Sequence, residues 1–247
     1  MSQYSDQGSA EAAGLPGQTG SVWSALTADP LCGVSVITGD GRTLWMNDQA
    51  ARLMHGHTAT ANEQLSKPWA ERFSAEWIRE RLSILRHVRE TGRPALVRSI
   101  WRGWQLYQWI HSVEPDDVPL RVSVLEDSGV YLVLHRRVSG EAAKEQTSSV
   151  EYETVQSEVP DMGPLAPLSP RELEVLVLIG QGLSAKEAAA MLGRSVKTIE
   201  HHRESIGRKL HINDRVALAN LAHRAGLTFA DAARARGHAG TPEPDER

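Results

Sequence analysis

The feature that most constrains this chain is a series of helix start signals between Leu168 and Leu227. Ser169, Ser184, Ser195 and Asp214 each stand where a side-chain oxygen can accept a hydrogen bond from the backbone of the following turn. Apolar residues at helical spacing follow each of these positions, and glycines close three of the four runs. The pattern predicts four short helices that form a small all-helical domain.

The second and third of these helices are separated by a very short turn. Ser195 follows Gly193 by only two residues, which forces the helices to cross steeply, as in a helix-turn-helix. The third helix is expected from Ser195 to about Leu210. Its apolar stripe consists of Ile199, Ile206 and Leu210, and its opposite face carries Lys197, His201, Glu204 and Arg208. One face can therefore pack while the other meets a polar partner.

The charge of the chain is distributed unevenly. Residues 164–227 carry nine Lys and Arg against six Asp and Glu, whereas residues 1–163 carry fifteen against twenty-one. Positive charge thus collects on the helical unit. Neutralising phosphates with Lys and Arg releases counterions, so this charge favours a nucleic-acid partner for the unit.

The runs LSPRELEVL, QGLSAKEAA, KTIEHH and RKL resemble the LuxR/FixJ/NarL-type DNA-binding domain over about a quarter of the chain. The resemblance implies a regulator that binds double-stranded DNA with its third helix, residues 195–210, in the major groove. It also implies a homodimer formed partly through the helix at 214–225.

The resemblance assigns roles to individual residues. The residues that face bases or nearby phosphates would be Thr198, Glu200, His201 and Glu204. The phosphate contacts would be Ser184, Lys186, Lys197 and Arg208. A structural pair would be formed by Glu172 and Lys209. Glu200 and Glu204 stand where many relatives carry Lys or Arg. A glutamate can accept from a cytosine amino group but is repelled by phosphate. We therefore expect modest affinity, dependence on dimerisation and an unusual half-site, with a merely solvated face as the alternative for both glutamates.

The front of the chain reads as alternating strands around a helical insert. Strands are expected at residues 33–38, 42–46, 95–101, 104–113 and 129–138, with a helix beginning after Ser74 and an irregular stretch at 55–68. The fold class is therefore α+β, with a five-stranded antiparallel sheet and helices, followed by an all-α four-helix domain. The run GVSVITGDGRTLWMNDQAARL and residues 95–138 resemble a PAS domain, which would span residues 21–138.

PAS domains hold haem, flavin, small metabolites or nothing, so the cofactor stays unknown. Flavin photochemistry is rejected because Cys32, the one cysteine, precedes the first strand. The histidines that could bind haem are His55, His57, His87, His111 and His135, but a structural role is favoured for each. All seven tryptophans lie between Trp23 and Trp109 and are expected to fill the core or a dimer face, with a ligand cage as the alternative. No metal site is expected.

The remaining segments are low in large apolar residues. Residues 1–20 are expected to be disordered, 139–167 to form an acidic linker, either a solvated tether or a connecting helix, and 228–247 to be a flexible tail that extends a helix briefly. Neither a signal peptide nor an apolar run of about 20 residues is present, so a cytoplasmic protein without membrane contact is expected.

Three classes of function compete. The first is a sequence-specific transcription regulator controlled by its PAS-like domain, with RNA polymerase and a small molecule or protein as candidate partners. The second is a PAS-based interaction or assembly module whose helical domain does not read DNA specifically. An enzyme is disfavoured because phosphate-binding, nucleophile-elbow and zinc-protease motifs are absent from the sequence.

Overall fold

The computed structural model describes residues 23, 27–65, 67–118, 129–138 and 152–238 of the chain. The expected disorder of residues 1–20 lies outside these residues. The front part forms one sheet from β1 (Gly33–Thr38), β2 (Thr43–Met46), β3 (Ala95–Trp101), β4 (Trp104–Val113), β5 (Val130–Arg137) and β6 (Glu153–Gln156). Its spatial order is β2-β1-β5-β4-β3-β6. Five of the six strands match the predicted segments.

The hairpin between β3 and β4 is the most local feature of this sheet. Arg102 and Gly103 both have positive φ angles, 51° and 76°, which gives a two-residue turn whose twist suits antiparallel strands. Trp101 pairs with Trp104 directly beside the turn, and pairing continues to Ala95 opposite Ile110. The predicted strand boundaries at this hairpin are confirmed.

The expectation of a purely antiparallel five-stranded sheet is wrong. β6 lies inside the segment predicted as a tether or connecting helix, and it pairs in parallel with β3, from Ala95 opposite Glu153 to Arg98 opposite Gln156. Without β6, β3 would be an open edge with unpaired backbone groups. Pairing between strands so far apart in the sequence has no local signal. The acidic residues of the segment instead favoured the prediction of a solvated tether or a connecting helix.

Helices cover one face of the sheet. They are α1 (Asp48–His55), α2 (Ala61–Leu65), α3 (Trp69–Arg72) and α4 (Ala75–Thr91). Asn47 and Ser74 cap α1 and α4, and Gly92 ends α4 in the left-handed conformation. The prediction that residues 55–68 are irregular is wrong for 61–65, because a single helical turn of mixed polarity leaves no periodic signal. The inner face of α4 packs on the sheet through Trp77, Ile84, Leu85 and Val88.

The C-terminal unit contains the four predicted helices and one more. These helices are α5 (Pro170–Gly180), α6 (Ala185–Leu192), α7 (Val196–Lys209), α8 (Arg215–Ala225) and α9 (Phe229–His238). Capping boxes are present at Ser169 with Glu172 and at Ser184 with Glu187, as the sequence predicts. Their common core includes Leu173, Leu176, Ile199, Ile206 and Leu218.

The sequence predicts a flexible tail over residues 228–247 that extends a helix only briefly. This prediction is wrong for residues 229–238, which form the separate ten-residue helix α9. Thr228 begins it, and its backbone N–H and hydroxyl both donate to Asp231 at 2.7 Å. Asp231 and Ala232 are buried. Arg98 of β3 meets Asp231 with Nη2 to Oδ2 at 2.7 Å and Nη1 to Oδ1 at 2.9 Å. The partner that orders α9 is thus 133 residues away in sequence.

The C-terminal unit therefore packs against the sheet. Side chains alternate along β3, so Val97 faces α4 while Ile100 belongs to the core of the C-terminal unit. Gly226, at the end of α8, lies so close to Gln105 that an added Cβ would stand 2.6 Å from that side chain. The φ of Gly226 is also positive at 62°, so both the close approach and the backbone conformation favour glycine at this position.

Candidate nucleic-acid interface

A tight turn joins α6 and α7. Gly193 ends α6 with φ 60°, and the hydroxyl of Ser195 accepts the backbone N–H of Thr198 to begin α7. The left-handed conformation at Gly193 reverses the chain without a Cβ penalty. The two helices thus form the helix-turn-helix that the sequence predicts.

The inner side of α7 is held firmly. Ile199 is 1% exposed and Ile206 is fully buried, whereas Leu210 is half-buried at the end of the stripe. Lys209 Nζ lies 2.7 Å from Glu172 Oε2, and the Ser205 hydroxyl donates to Glu172 Oε1 at 2.7 Å. The predicted structural pair of Glu172 and Lys209 is therefore confirmed, and it ties α5 to α7.

Burial opposes the charge of Glu172, but its bonds to Lys209, Ser205 and Ser169 outweigh that effect. They lower the pKa of Glu172 from 4.5 to about 2. The carboxylate is therefore ionised whenever the domain is folded near neutral pH. A permanently charged anchor fixes the rotation of α7 about its own axis, which decides the residues on its outer side.

The outer side of α7 is exposed and polar. The residues on it that the sequence assigned to DNA are Lys197, Glu200, His201, Glu204 and Arg208. Thr198 differs, because it is half-buried and its hydroxyl lies 2.8 Å from that of Ser195. The structure therefore brings five of the six assigned α7 residues to one open surface and leaves Thr198 occupied in the cap.

The two assigned residues at α6 are also exposed. Ser184 caps the helix, and its hydroxyl donates to Glu187 Oε2 at 2.6 Å. Lys186 in the first turn points its charge to solvent. A phosphate contact by Ser184 would have to displace that carboxylate, so Lys186 is the more available of the pair.

Sequence reasoning left out three arginines in α7 and beside it. Arg194 is exposed in the turn between α6 and α7, and Arg215 is exposed in the first turn of α8. Burial and the charge of Arg215 lower the pKa of Arg203, whereas Glu200 opposes this effect. The missed signal was positive charge in turns and flanks, because the candidates came from the first turn of α6 and from α7 alone.

The predicted dimer helix, α8, presents an apolar residue to solvent. Leu218, Ala222 and Ala225 pack into the core, whereas Val216 is 64% exposed. At the other end of α8, Arg224 lies over the ring of Trp104 at 5.4 Å. The start of α8 is thus open and its end is held by the sheet.

Three of the five histidines considered for haem are hydrogen-bonded to neighbouring side chains. His87 bonds Glu153 at 2.7 Å, His111 bonds Tyr152 at 3.3 Å, and both ring nitrogens of His135 are bonded, to Ser35 and to Gln108. His57 is exposed, and His55 is considered below with the cavity that it lines. In the described part of the chain, three or more metal-binding side chains do not cluster anywhere.

Residues 166–222 match the model of the bacterial regulatory proteins of the luxR family. The C-terminal unit is therefore a LuxR-family helix-turn-helix domain. This assignment is to a family of regulatory proteins rather than to enzymes.

Relatives resemble this chain over the same region. The response regulator UvrY of Escherichia coli strain K12 is 33% identical over 97 residues, which is 39% of this chain and 42% of that protein. The transcriptional regulatory protein RcsB of the same strain is 41% identical over 64 residues, covering 26% and 30% of the two chains. The chain thus spans less than half the length of these curated relatives.

Solved structures of low similarity cover more of the chain. A Vibrio cholerae VqmA–ligand–DNA complex is 17% identical with a TM-score of 0.41, over 83% of this chain and 86% of that one. A domain of an HTR-like protein from Haloarcula marismortui is 17% identical with a TM-score of 0.35, over 45% of this chain and 100% of that one.

In the described residues, every helix is too short or too polar to cross a membrane.

Proposed function

We propose that this chain is a sequence-specific transcription regulator that binds double-stranded DNA. Its third C-terminal helix, residues 195–210, enters the major groove, and a PAS-like domain at residues 21–138 controls its activity. The observation that carries the proposal is the outer side of α7. Five polar side chains share it, while the opposite side is buried and tied to α5 through Glu172. A reading helix needs this combination of an anchored back and a free polar front.

The exposed residues divide by chemistry. Lys197 and Arg208 suit phosphate oxygens, together with Lys186 and the turn residue Arg194. Glu200, His201 and Glu204 suit base edges, because carboxylates accept from cytosine amino groups. Two carboxylates on the reading surface weaken attraction to phosphate, so one domain alone binds modestly and a homodimer is needed.

The exposed start of α8 supplies the surface for that dimer. Val216 provides an apolar contact on the helix at 214–225, and a two-fold axis would place identical residues opposite each other. Two reading helices related in this way would contact half-sites about one helical turn apart. RNA polymerase is a candidate partner of the DNA-bound dimer.

The first test removes the phosphate contacts. In the full-length chain, the Lys197→Ala, Arg208→Ala double variant should bind DNA more weakly, with a salt slope shallower by about two for each protomer in the complex. The matched control is Arg86→Ala, Arg93→Ala, which removes two exposed charges at α4 and just after it. Equal binding of the double variant and the wild type would place DNA elsewhere on the molecule.

The second test selects random double-stranded DNA on the full-length protein at two salt concentrations. A two-fold-symmetric site should be enriched. Salt-sensitive binding without enrichment would contradict specific reading and favour the alternative, an interaction or assembly module whose helical domain does not read sequence.

A further inference from the structure

A small cavity lies between the sheet and the helices of the N-terminal unit. Its walls are mostly apolar and aromatic, with Trp69, Phe73 and Trp77 from the helices and Ile37 and Val133 from the sheet. The cavity has a volume of about 30 Å³, which is room for roughly two or three water molecules. Such a space suits a group of a few heavy atoms.

Arg81 brings a charge to this apolar space. It is 2% exposed, yet its Nε and Nη1 atoms have no hydrogen-bond partner within the described residues. Only Nη2 is bonded, to Gln108 Oε1 at 2.6 Å, and the guanidinium lies over the ring of Trp77 at 4.9 Å. Burying a charged group with two unpartnered nitrogen atoms, which carry three N–H donors, is costly, so an acceptor that bonds to them would offset part of that cost.

Arg72 repeats the arrangement from the neighbouring helix. Its Nη2 donates to Thr43 Oγ1 at 3.0 Å, while its buried Nε and Nη1 have no partner among the described residues. His55 Nε2 is also buried without a partner there. Burial, with the charges of Arg72 and Arg102, lowers the pKa of His55 to about 4, so this ring is neutral near pH 7.

The residues that position Arg81 form a chain of hydrogen bonds. Gln108 Nε2 donates to His135 Nδ1 at 2.9 Å, which leaves His135 Nε2 to donate to Ser35 Oγ at 2.8 Å. Burial lowers the pKa of His135 to about 3 and keeps it neutral. This chain fixes the Gln108 oxygen towards Arg81 and supplies no negative charge.

Two guanidiniums thus line one cavity, and none of the described lining residues is a carboxylate. We propose that this cavity binds a small organic anion, a carboxylate with a short apolar body. A guanidinium and a carboxylate match in shape and make two parallel hydrogen bonds. The aromatic walls would cover the rest of the molecule. The inference that this anion controls DNA binding rests on the proposed function, whereas the inference that the cavity binds the anion does not.

The binding experiment uses the full-length chain without DNA. Acetate and propionate are titrated against their neutral amides, acetamide and propionamide, while tryptophan fluorescence and heat of binding are recorded. The carboxylates should bind saturably, and at least tenfold more tightly than the amides. Equal binding of acids and amides, or no binding of either acid, overturns the proposal, because the recognised group is the carboxylate itself.

Variants at the two arginines locate the site. Arg81→Met and Arg72→Gln should each weaken propionate binding at least tenfold, whereas Arg86→Gln, exposed on α4, should leave it unchanged. Arg81→Met should also raise the melting temperature of the ligand-free protein, because it removes a buried charge with unmet donors. A lower melting temperature would indicate that Arg81 serves the fold rather than a ligand.

Measurements of DNA affinity with and without propionate separate the two proposals. A change in affinity on adding propionate, absent in Arg81→Met, supports the anion as the signal. Anion binding with unchanged DNA affinity keeps the site and overturns its controlling role.

Discussion

Glu172 joins three parts of the helical unit with one carboxylate. It accepts the backbone N–H of Ser169 at 2.6 Å, the Ser205 hydroxyl and the Lys209 ammonium. Its first role, the capping box, follows from residues three apart in sequence. Its second, the tie to α7, requires two helices to meet. The stability of the domain therefore depends on whether the Glu172 carboxylate is ionised.

The pH dependence of this carboxylate is a first prediction. A folded pKa of about 2 against an ordinary 4.5 means that its stabilisation is complete above pH 4.5 and is lost as the pH falls towards 2. Glu172→Gln should lower the free energy of unfolding by about 2 kcal/mol near pH 7. Urea unfolding at several pH values should show this difference shrinking in acid. A difference that stays constant down to pH 2 would contradict the assignment, and Glu90→Gln, exposed on α4, is the control.

A second prediction at this scale concerns base selection by Glu204. If its carboxylate accepts from a cytosine amino group, Glu204→Gln should change the preferred base at one position of each half-site, by about 1–3 kcal/mol. Selection of random DNA with both proteins measures this change. Identical enriched sites would remove Glu204 from the reading surface and leave it a solvated residue.

Among the elements, α8 has its two ends in different surroundings. Its C-terminal end is packed against the sheet through Gly226 and Arg224, while Val216 at its start is exposed. A helix fixed at one end can offer the other end to a second copy without losing its place in the domain.

The third prediction tests this element. Val216→Asp should disrupt a dimer formed through α8, because two charges would face each other in an apolar contact. Sedimentation equilibrium should show a shift to monomer, and binding to a two-fold-symmetric DNA site should weaken. Gln181→Glu adds the same charge in the exposed turn after α5 and should change neither. An unchanged dimer of Val216→Asp would move the interface elsewhere.

At the scale of the molecule, Arg98 and Asp231 connect the sheet to the last helix. Burial opposes ionisation of Asp231, but hydrogen bonds and charge from Arg98, with help from Thr228, lower its pKa. The same pair raises the pKa of Arg98 despite burial. Arg234 also lies 3.3 Å from Asp231, so the carboxylate faces two cations. The C-terminal unit is therefore positioned by the sheet rather than tethered beside it.

The fourth prediction follows from this pair. Asp231→Asn leaves Arg98 buried without its counter-charge and should cost roughly 3 kcal/mol of docking. Hydrogen exchange of α9 should accelerate, and in the wild type the same change should appear as the pH falls through the lowered pKa of Asp231. The control is Glu158→Gln, which removes the exposed Glu158–Arg234 pair between the same two units. Unchanged exchange in Asp231→Asn would show that apolar contacts alone hold the units together.

Some elements have signals that lie entirely within their own short stretch of sequence. Caps at Ser169, Ser184, Ser195 and Asp214, and the turn at Arg102–Gly103, lie within a few residues of what they control, so α5 to α8 and the β3–β4 hairpin were predictable. The exposed polar side of α7 followed from helical periodicity in the same way.

Other features form only through partners that are distant in the sequence. β6 exists because β3 offers an edge, and α9 is held because Arg98 meets Asp231. Arg72 and Arg81 share one cavity only after α3 and α4 pack on the sheet. Local propensity does not predict such contacts, because their free energy comes from pairing and burial between residues far apart in the chain.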